Sequence, residues 1–314
     1  MSGETTGNNA LLIRQNVYSG QIKEALQDEL IAMQWVDWMN DFTEGSSTFK
    51  IPSIGEAVVD DYVEDDEIKF RPLDKGEFTM TIDKHKTSGH YITDTAMEDL
   101  FYANQLMSKI PASESRAILK QLESDIMALQ GSQTAASTNT INGGKHRFVG
   151  TGSSNVIAVE DFARAKLSLK LANASDRNMI AVVDPSVAYT LETLTNLTNV
   201  SNNPRWEGVV AEGMTSGMRF VKNVFGFDVY ESNYTDTIVS ETLETVNVAG
   251  FAANMFFSAD GDEGPFKGAW ARMPRLKAWE EEARERTNYA TSSRYGVKLY
   301  RPESLIVIPT SKSV

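Results

Sequence analysis

Residues 46–92 alternate between apolar and polar side chains over a length that few folds can hide within one chain. Phe49 and Ile51 alternate before Pro52, and Ile68, Phe70, Phe78, Met80 and Ile82 alternate on either side of Pro72-Leu73-Asp74-Lys75-Gly76. Period-two runs flanking a Pro/Gly connection predict a long β-hairpin. A hairpin this long cannot easily bury both faces against its own domain, and an open strand edge invites pairing with another chain. The segment calls for a neighbour.

Helical periodicity follows. Thr95 and Glu98 have the spacing by which each side chain can satisfy a free amide at a helix start. Met97, Leu100 and Phe101 supply a first buried stripe, Ile118, Leu122, Ile126 and Leu129 a second, and Gly131 a C-terminal stop. With Pro111 kinking the helix rather than ending it, residues 95–130 make one rod roughly 50 Å long. Ahead of the hairpin, the first ten or so residues are polar and Gly/Asn-rich, and are expected to stay disordered until a neighbour orders them. From Ile22 to Met39, Ile22, Leu26, Leu30, Met33 and Val36 recur at helical spacing beside Trp35 and Trp38, predicting an amphipathic helix with an aromatic end.

Residues 131–155 form a polar connector in which Asn142-Gly143 reads as a tight hairpin turn, with a domain boundary near its end. Beyond it the pattern is α/β. A helix over about 160–172 precedes the apolar strand Met179–Val183, and a second helix opens with Asp184 as cap and Pro185 at its first position. Strands are expected at Phe225–Glu231, Val246–Phe251 and Leu305–Ile308, and a surface loop at 195–217.

With 314 residues and 41% hydrophobic content, the chain can fill about two cores. Its 30 Lys and Arg face 43 Asp and Glu, a formal charge of -13, which argues against general nucleic-acid binding. No cysteine is present, so disulfides, thiolate catalysis and cysteine metal sites are excluded. The N-terminus lacks a basic segment followed by an apolar run, and no stretch approaches a membrane span, so a soluble product made in a cytosol is expected.

Motifs for chemistry are scarce. His85 and His90 fall on opposite faces of an uninterrupted strand, His146 lies in the connector, and no metal site is expected. No nucleophile elbow, zinc-protease pair, phosphate loop or dinucleotide turn occurs, although a catalytic carboxylate pair would leave no local signature. The distinctive charge feature is GEAVVDDYVEDDEI at 55–68, with Glu56, Asp60, Asp61, Glu64, Asp65, Asp66 and Glu67 and no base. Two readings compete on the residues themselves, a solvated loop and a calcium site lacking the usual ligand spacing; a third, a contact arm for basic residues on another subunit, is raised only by the resemblance described below. A second cluster, Glu280-Glu281-Glu282 with Arg284, Glu285 and Arg286, fits a salt-bridged face on either a helix or a strand.

The order of elements resembles the tailed-phage major capsid proteins of the Hong Kong 97 fold. STFKIPSIGEA looks like the start of that family's extended loop, and TDTAMEDLFYANQLMSKI like the start of its spine helix. MIAVVDPSVAYTLETL is similar to the strand, turn and helix of its axial domain. VFGFDVYESNY resembles its Phe-Gly-aromatic-x-Val strand, and GVKLYRPESLIVIP its final peripheral-domain strand. The resemblance implies an α+β capsid fold with an N-terminal arm (1–45), an extended loop hairpin (46–92), a peripheral domain with the spine helix (93–155 and 265–314) and an α/β axial domain (156–264).

It also implies an icosahedral head shell of pentamers and hexamers around double-stranded phage DNA, assembled in the host cytoplasm, with no cofactor and no catalysis. Portal and decoration proteins would be partners, and the short segment before the hairpin suggests a separate scaffolding protein. Trp35, Trp38, Asp60, Asp61, Glu64, Asp65, Asp66 and Glu67 are then the candidate subunit contacts. Two alternatives are an encapsulin-like nanocompartment shell and, from another class, a carbohydrate-active or glycan-binding protein.

Overall fold

A computed structural model of the chain describes residues 30–39, 48–194 and 220–312, apart from Glu56, positions scattered through 62–74, and residues 100–102 and 134–138. The chain enters through a 3-10 turn, Ala32–Trp35, into strand β1 (Val36–Met39). This replaces the helix expected over Ile22–Met39, whose first part, 22–29, lies outside the described residues. Two contacts explain the change. The Glu123 carboxylate accepts hydrogen bonds from the Ile31 and Ala32 amides at 2.9–3.0 Å, taking donors a helix would use differently. Val36 and Trp38 then run beside another strand, where β-branched and aromatic side chains fit well.

Strands β2 (Thr48–Ile54) and β3 (Lys75–Thr81) make the expected hairpin, but with different arms. Phe49 lies opposite Met80 and Ile51 opposite Phe78, so the connection spans 55–74 rather than turning at Pro72–Gly76. Phe70 is outside both strands and 92% exposed. The acid-rich run cannot pair with itself without crowding like charges, so the apolar arms on either side of it pair instead.

Strand β4 (Lys84–Thr93) leads into α1 (Asp94–Asp99) and α2 (Ala103–Met127). Thr93, rather than Thr95, caps the helical start: its hydroxyl accepts from the Ala96 amide at 3.4 Å. Pro111 sits inside α2 without ending it. Ile118, Leu122 and Ile126 are buried, and after Met127 the chain tightens into a 3-10 turn, Ala128–Ser132, that contains both Leu129 and Gly131.

The small strands β5 (Thr140–Ile141) and β6 (Gly144–Lys145) flank Asn142 and Gly143, both at positive φ (48° and 87°), as the Asn-Gly signal predicts. The residues that follow are not a solvated connector. His146, Arg147 and Phe148 are buried, because Arg147 pairs with Glu241 at 2.6 Å and bonds Gln130 through both its carbonyl and its side-chain oxygen.

Helix α3 (Val159–Leu171), strand β7 (Met179–Val183) and helix α4 (Pro185–Thr193) match the α/β pattern, with Asp184 accepting from the Ser186 amide at 3.0 Å. Strands β8 (Phe220–Val224) and β9 (Phe227–Glu231) turn at Phe225-Gly226, again at positive φ. The loop expected at 195–217 lies outside the described residues. The strand expected over Val246–Phe251 is divided: β10 (Thr242–Leu243) and β11 (Val246–Asn247) make a small ribbon, and Gly250, at φ 84°, turns the chain into β12 (Ala252–Ser258). Every residue of β12 is buried.

Strands β13 (Phe266–Glu281) and β14 (Arg286–Leu299) form a second hairpin, about 50 Å long at its strand rise, whose tip is the Glu282–Arg284 turn. The undecided Glu/Arg cluster therefore belongs to a hairpin tip, where Glu281 pairs with both Arg284 and Arg286. One sheet has the order β1-β13-β14-β4. The other, with β15 (Leu305–Thr310), has the order β15-β12-β7-β9-β8. Leu305–Thr310 thus joins the α/β sheet and not the β13–β14 sheet. Phe162, Phe227 and Phe256 meet edge to face on one side of the α/β sheet. On its other side Trp35, Phe257, Leu122 and Phe266 share the core that joins it to α2 and β13.

Candidate assembly surfaces

Among the described residues, the contacts between the β2–β3 hairpin and the rest of the chain gather at its base. Met80 is fully buried with Ile82 and Ala269, while Phe78 meets Tyr300 edge to face at 4.9 Å. Lys298 caps the Thr79 carbonyl at 2.8 Å and lies over the Phe78 ring. Gly296 passes so close to β3 that a Cβ there would stand 2.5 Å from the Thr81 carbonyl oxygen. Further out, among the described residues β2 pairs with β3 alone, and most residues of both strands are exposed. A two-stranded ribbon of this kind is marginal without a surface to lie on.

Its outer connection exposes large apolar groups beside the acids. Val59 and Phe70 are more than nine-tenths exposed, and Ile54 and Val58 are also exposed. Asp60, Asp61, Glu64 and Glu67 are exposed on the same segment, whereas Asp65 and Asp66 lie outside the described residues. Among the described residues no group of three or more His, Asp or Glu is placed to hold a metal ion.

Within the single subunit both tryptophans pack against the subunit's own residues, Trp35 buried and Trp38 half-buried. Trp35 is buried, edge-on to both Tyr230 and Phe257. Trp38 stacks on Trp270 with ring centres 5.1 Å apart, donates its indole N–H to the Met33 carbonyl and fills the space above Gly268. Helical spacing pointed to a separate arm; the aromatic partners that make this segment core come from positions more than 190 residues away.

Helix α2 is fixed to the long sheet by acids on its underside. Glu114 is buried and accepts from Thr291 at 2.7 Å, with His90 Nδ1 2.9 Å away; Asp125 accepts from Tyr295 at 2.8 Å. Burial and the Asp125 carboxylate push the Tyr295 hydroxyl far up, so it stays a donor. His90 is therefore part of this attachment, and His146 is held between the Gly144 and Glu303 carbonyls. Sequence reading had no signal for these roles beyond the residue types, because each partner comes from a distant strand.

A rigid two-sheet body carrying a projecting ribbon, with an exposed apolar and acidic tip, defines a subunit built to complete itself on other chains. Comparison with known proteins agrees. The model of the phage capsid protein family matches residues 77–308, and the chain belongs to that family. It is a structural major capsid protein that forms the head shell of a phage, not an enzyme. Its fold is the Hong Kong 97 type.

Solved structures share that fold at low identity. The capsid of cyanophage P-SCSP1u is 16% identical with a TM-score of 0.71, over 99% of this chain and 96% of that one. A chain from Mycobacterium phage Che8 is 15% identical with a TM-score of 0.69, over 95% and 97%. The mature capsid of bacteriophage PhiM1 is 12% identical with a TM-score of 0.71, over 96% and 93%. No curated protein sequence matches the chain. The family does not favour the nanocompartment or the glycan-binding alternative.

Proposed function

We propose that this capsid protein closes an icosahedral shell of pentamers and hexamers in the host cytoplasm, with the β2–β3 hairpin as the extended loop lying over a neighbouring subunit. The observation that carries this reading is the ribbon itself, paired among the described residues only with itself and carrying Val59 and Phe70 in solvent. Apolar groups of that size are expected to gain about 1.5–3 kcal/mol each when a neighbour covers them. In this arrangement α2 is the spine of a peripheral domain, and the β7–β9 sheet belongs to an axial domain near the local symmetry axes. A separate scaffolding protein guides curvature, a portal protein occupies one vertex, and a decoration protein is a further possible partner. Packaged DNA is enclosed without sequence-specific contacts, in keeping with the formal charge of -13.

Replacing residues 55–74 by a two-residue Asn-Gly turn tests the reading. The shortened subunit is expected to keep its near-ultraviolet circular dichroism and its cooperative melt, yet fail to close shells when expressed with its scaffolding partner. Normal shells from the shortened chain would remove the extended-loop assignment.

A further inference from the structure

The turn between β5 and β6 sets an exposed asparagine directly before an exposed glycine, Asn142 and Gly143. No other Asn-Gly pair occurs in the sequence. Among the described residues neither the Asn142 side chain nor the Gly143 amide makes a hydrogen bond. Chain neighbours apart, no atom lies within 4 Å of where a Cβ on Gly143 would stand, so the glycine is open on that side as well. The side-chain carbonyl carbon of Asn142 and the backbone nitrogen of Gly143 can close a five-membered ring. Adjacency makes that reaction intramolecular, and glycine has no side chain to obstruct it.

Comparable sites elsewhere are held. Asn178 and Asn247 are exposed, but the Asn178 side chain donates to the Ala259 carbonyl at 3.0 Å and that of Asn247 accepts from the Ala249 amide at 3.1 Å. Each also precedes a residue with a bulky side chain, Met179 and Val248. Asp260 precedes Gly261, but its carboxylate accepts from Ser175 at 2.8 Å, and an ionised carboxylate is a poorer electrophile than an amide.

We propose that Asn142 is a site of spontaneous deamidation. The Gly143 nitrogen, having given its proton to solvent base, attacks Asn142 Cγ; the Cγ–Nδ2 bond breaks and ammonia leaves. The cyclic imide then takes up one water and opens at either carbonyl. Position 142 becomes an aspartate, or an isoaspartate whose main chain runs through the side-chain carbons. Closure requires the turn, with φ of 48° and 87°, to open first. The strands beside it pair only as Thr140 with Lys145 and Ile141 with Gly144, so local opening is cheap.

The neighbouring residues leave little room for the product. Gly144 passes so close to α3 that a Cβ there would stand 2.9 Å from Ser168 Cα, and its carbonyl lies 2.9 Å from His146 Nδ1. Lys145 pairs with Glu244. An isoaspartate lengthens the main chain of the turn and shifts Gly144 against α3, while either product adds a carboxylate to the turn. Deamidation therefore loosens β5–β6 from α3 irreversibly, at a rate set by time, pH and heat, under which asparagine is labile. None of this depends on the role of the β2–β3 hairpin.

The test is to hold the folded protein in warm, mildly alkaline buffer and map its peptides over time by mass spectrometry, with electron-transfer fragmentation to separate isoaspartate from aspartate. Conversion at position 142 is expected to be about tenfold or more faster than at any other asparagine. Hydrogen exchange is expected to rise with it over residues 140–145 and the facing turn of α3. Asn142→Gly removes the electrophile and keeps a turn that Gly-Gly also suits, so it is expected to abolish both the conversion and the rise in exchange. Conversion no faster at 142 than elsewhere, or seen only after denaturation in guanidinium, would overturn the proposal. A rise in exchange that persists in Asn142→Gly would overturn the assigned effect on α3.

Discussion

Glu123 joins two parts of the chain at a cost visible in its ionisation. Its carboxylate receives the amides of Ile31 and Ala32, which ties the entering segment to α2, and burial holds its pKa above the usual 4.5 despite those hydrogen bonds. A carboxyl whose folded value is raised stabilises the fold fully below its unfolded value and loses that contribution as pH rises through the folded one. Thermal melts between pH 4 and 7 are therefore expected to show the native chain losing stability relative to Glu123→Gln as pH rises above about 4.5. A stability difference independent of pH, or one growing in the native chain's favour with pH, would contradict this assignment. The buried Arg147–Glu241 pair makes a comparable long connection, linking the end of α2 through Gln130 to the segment before β12, with Gln130 also bonding Asp236 at 2.8 Å.

At the level of elements, the base of the β2–β3 hairpin is the most constrained junction. Gly296→Ala would put a methyl group 2.5 Å from the Thr81 carbonyl oxygen and 3.1 Å from Ile82 Cα, against backbone that cannot rotate aside. The variant is expected to lose about 1–3 kcal/mol in a denaturant melt and to loosen hydrogen exchange along β3. Unchanged stability and exchange would mean that the hairpin base is freely displaced.

Elements with a strong local signal were legible: Asn142-Gly143, the Asp184-Pro185 helix start and the buried run of β7. The β13–β14 hairpin was not, since Arg272, Pro274 and Arg275 interrupt its alternation at register shifts and the Glu/Arg cluster masked its turn. β12 was missed because Ala, Asn and Met are weak strand formers, buried here between two partner strands. The place of Trp35 depends on Tyr230 and Phe257, which no local pattern connects to it.

The described residues divide into a packed body with two main cores and a ribbon whose outer part is mostly exposed. Two cores on either side of the α/β sheet close around α3, α4, α2 and the root of β13, and the entering segment with Trp35 belongs to that body. The tip of the loop and the helix-free face of the long sheet remain in solvent in a single subunit. In the proposed arrangement assembly follows from this division, because a closed array would cover every ribbon with an identical neighbour and leave none over. Electron microscopy of the purified protein, expressed alone and with the proposed scaffolding protein, tests that claim most directly. Closed or aberrant shells with regular capsomers are expected, and a stable monomer under both conditions would contradict it.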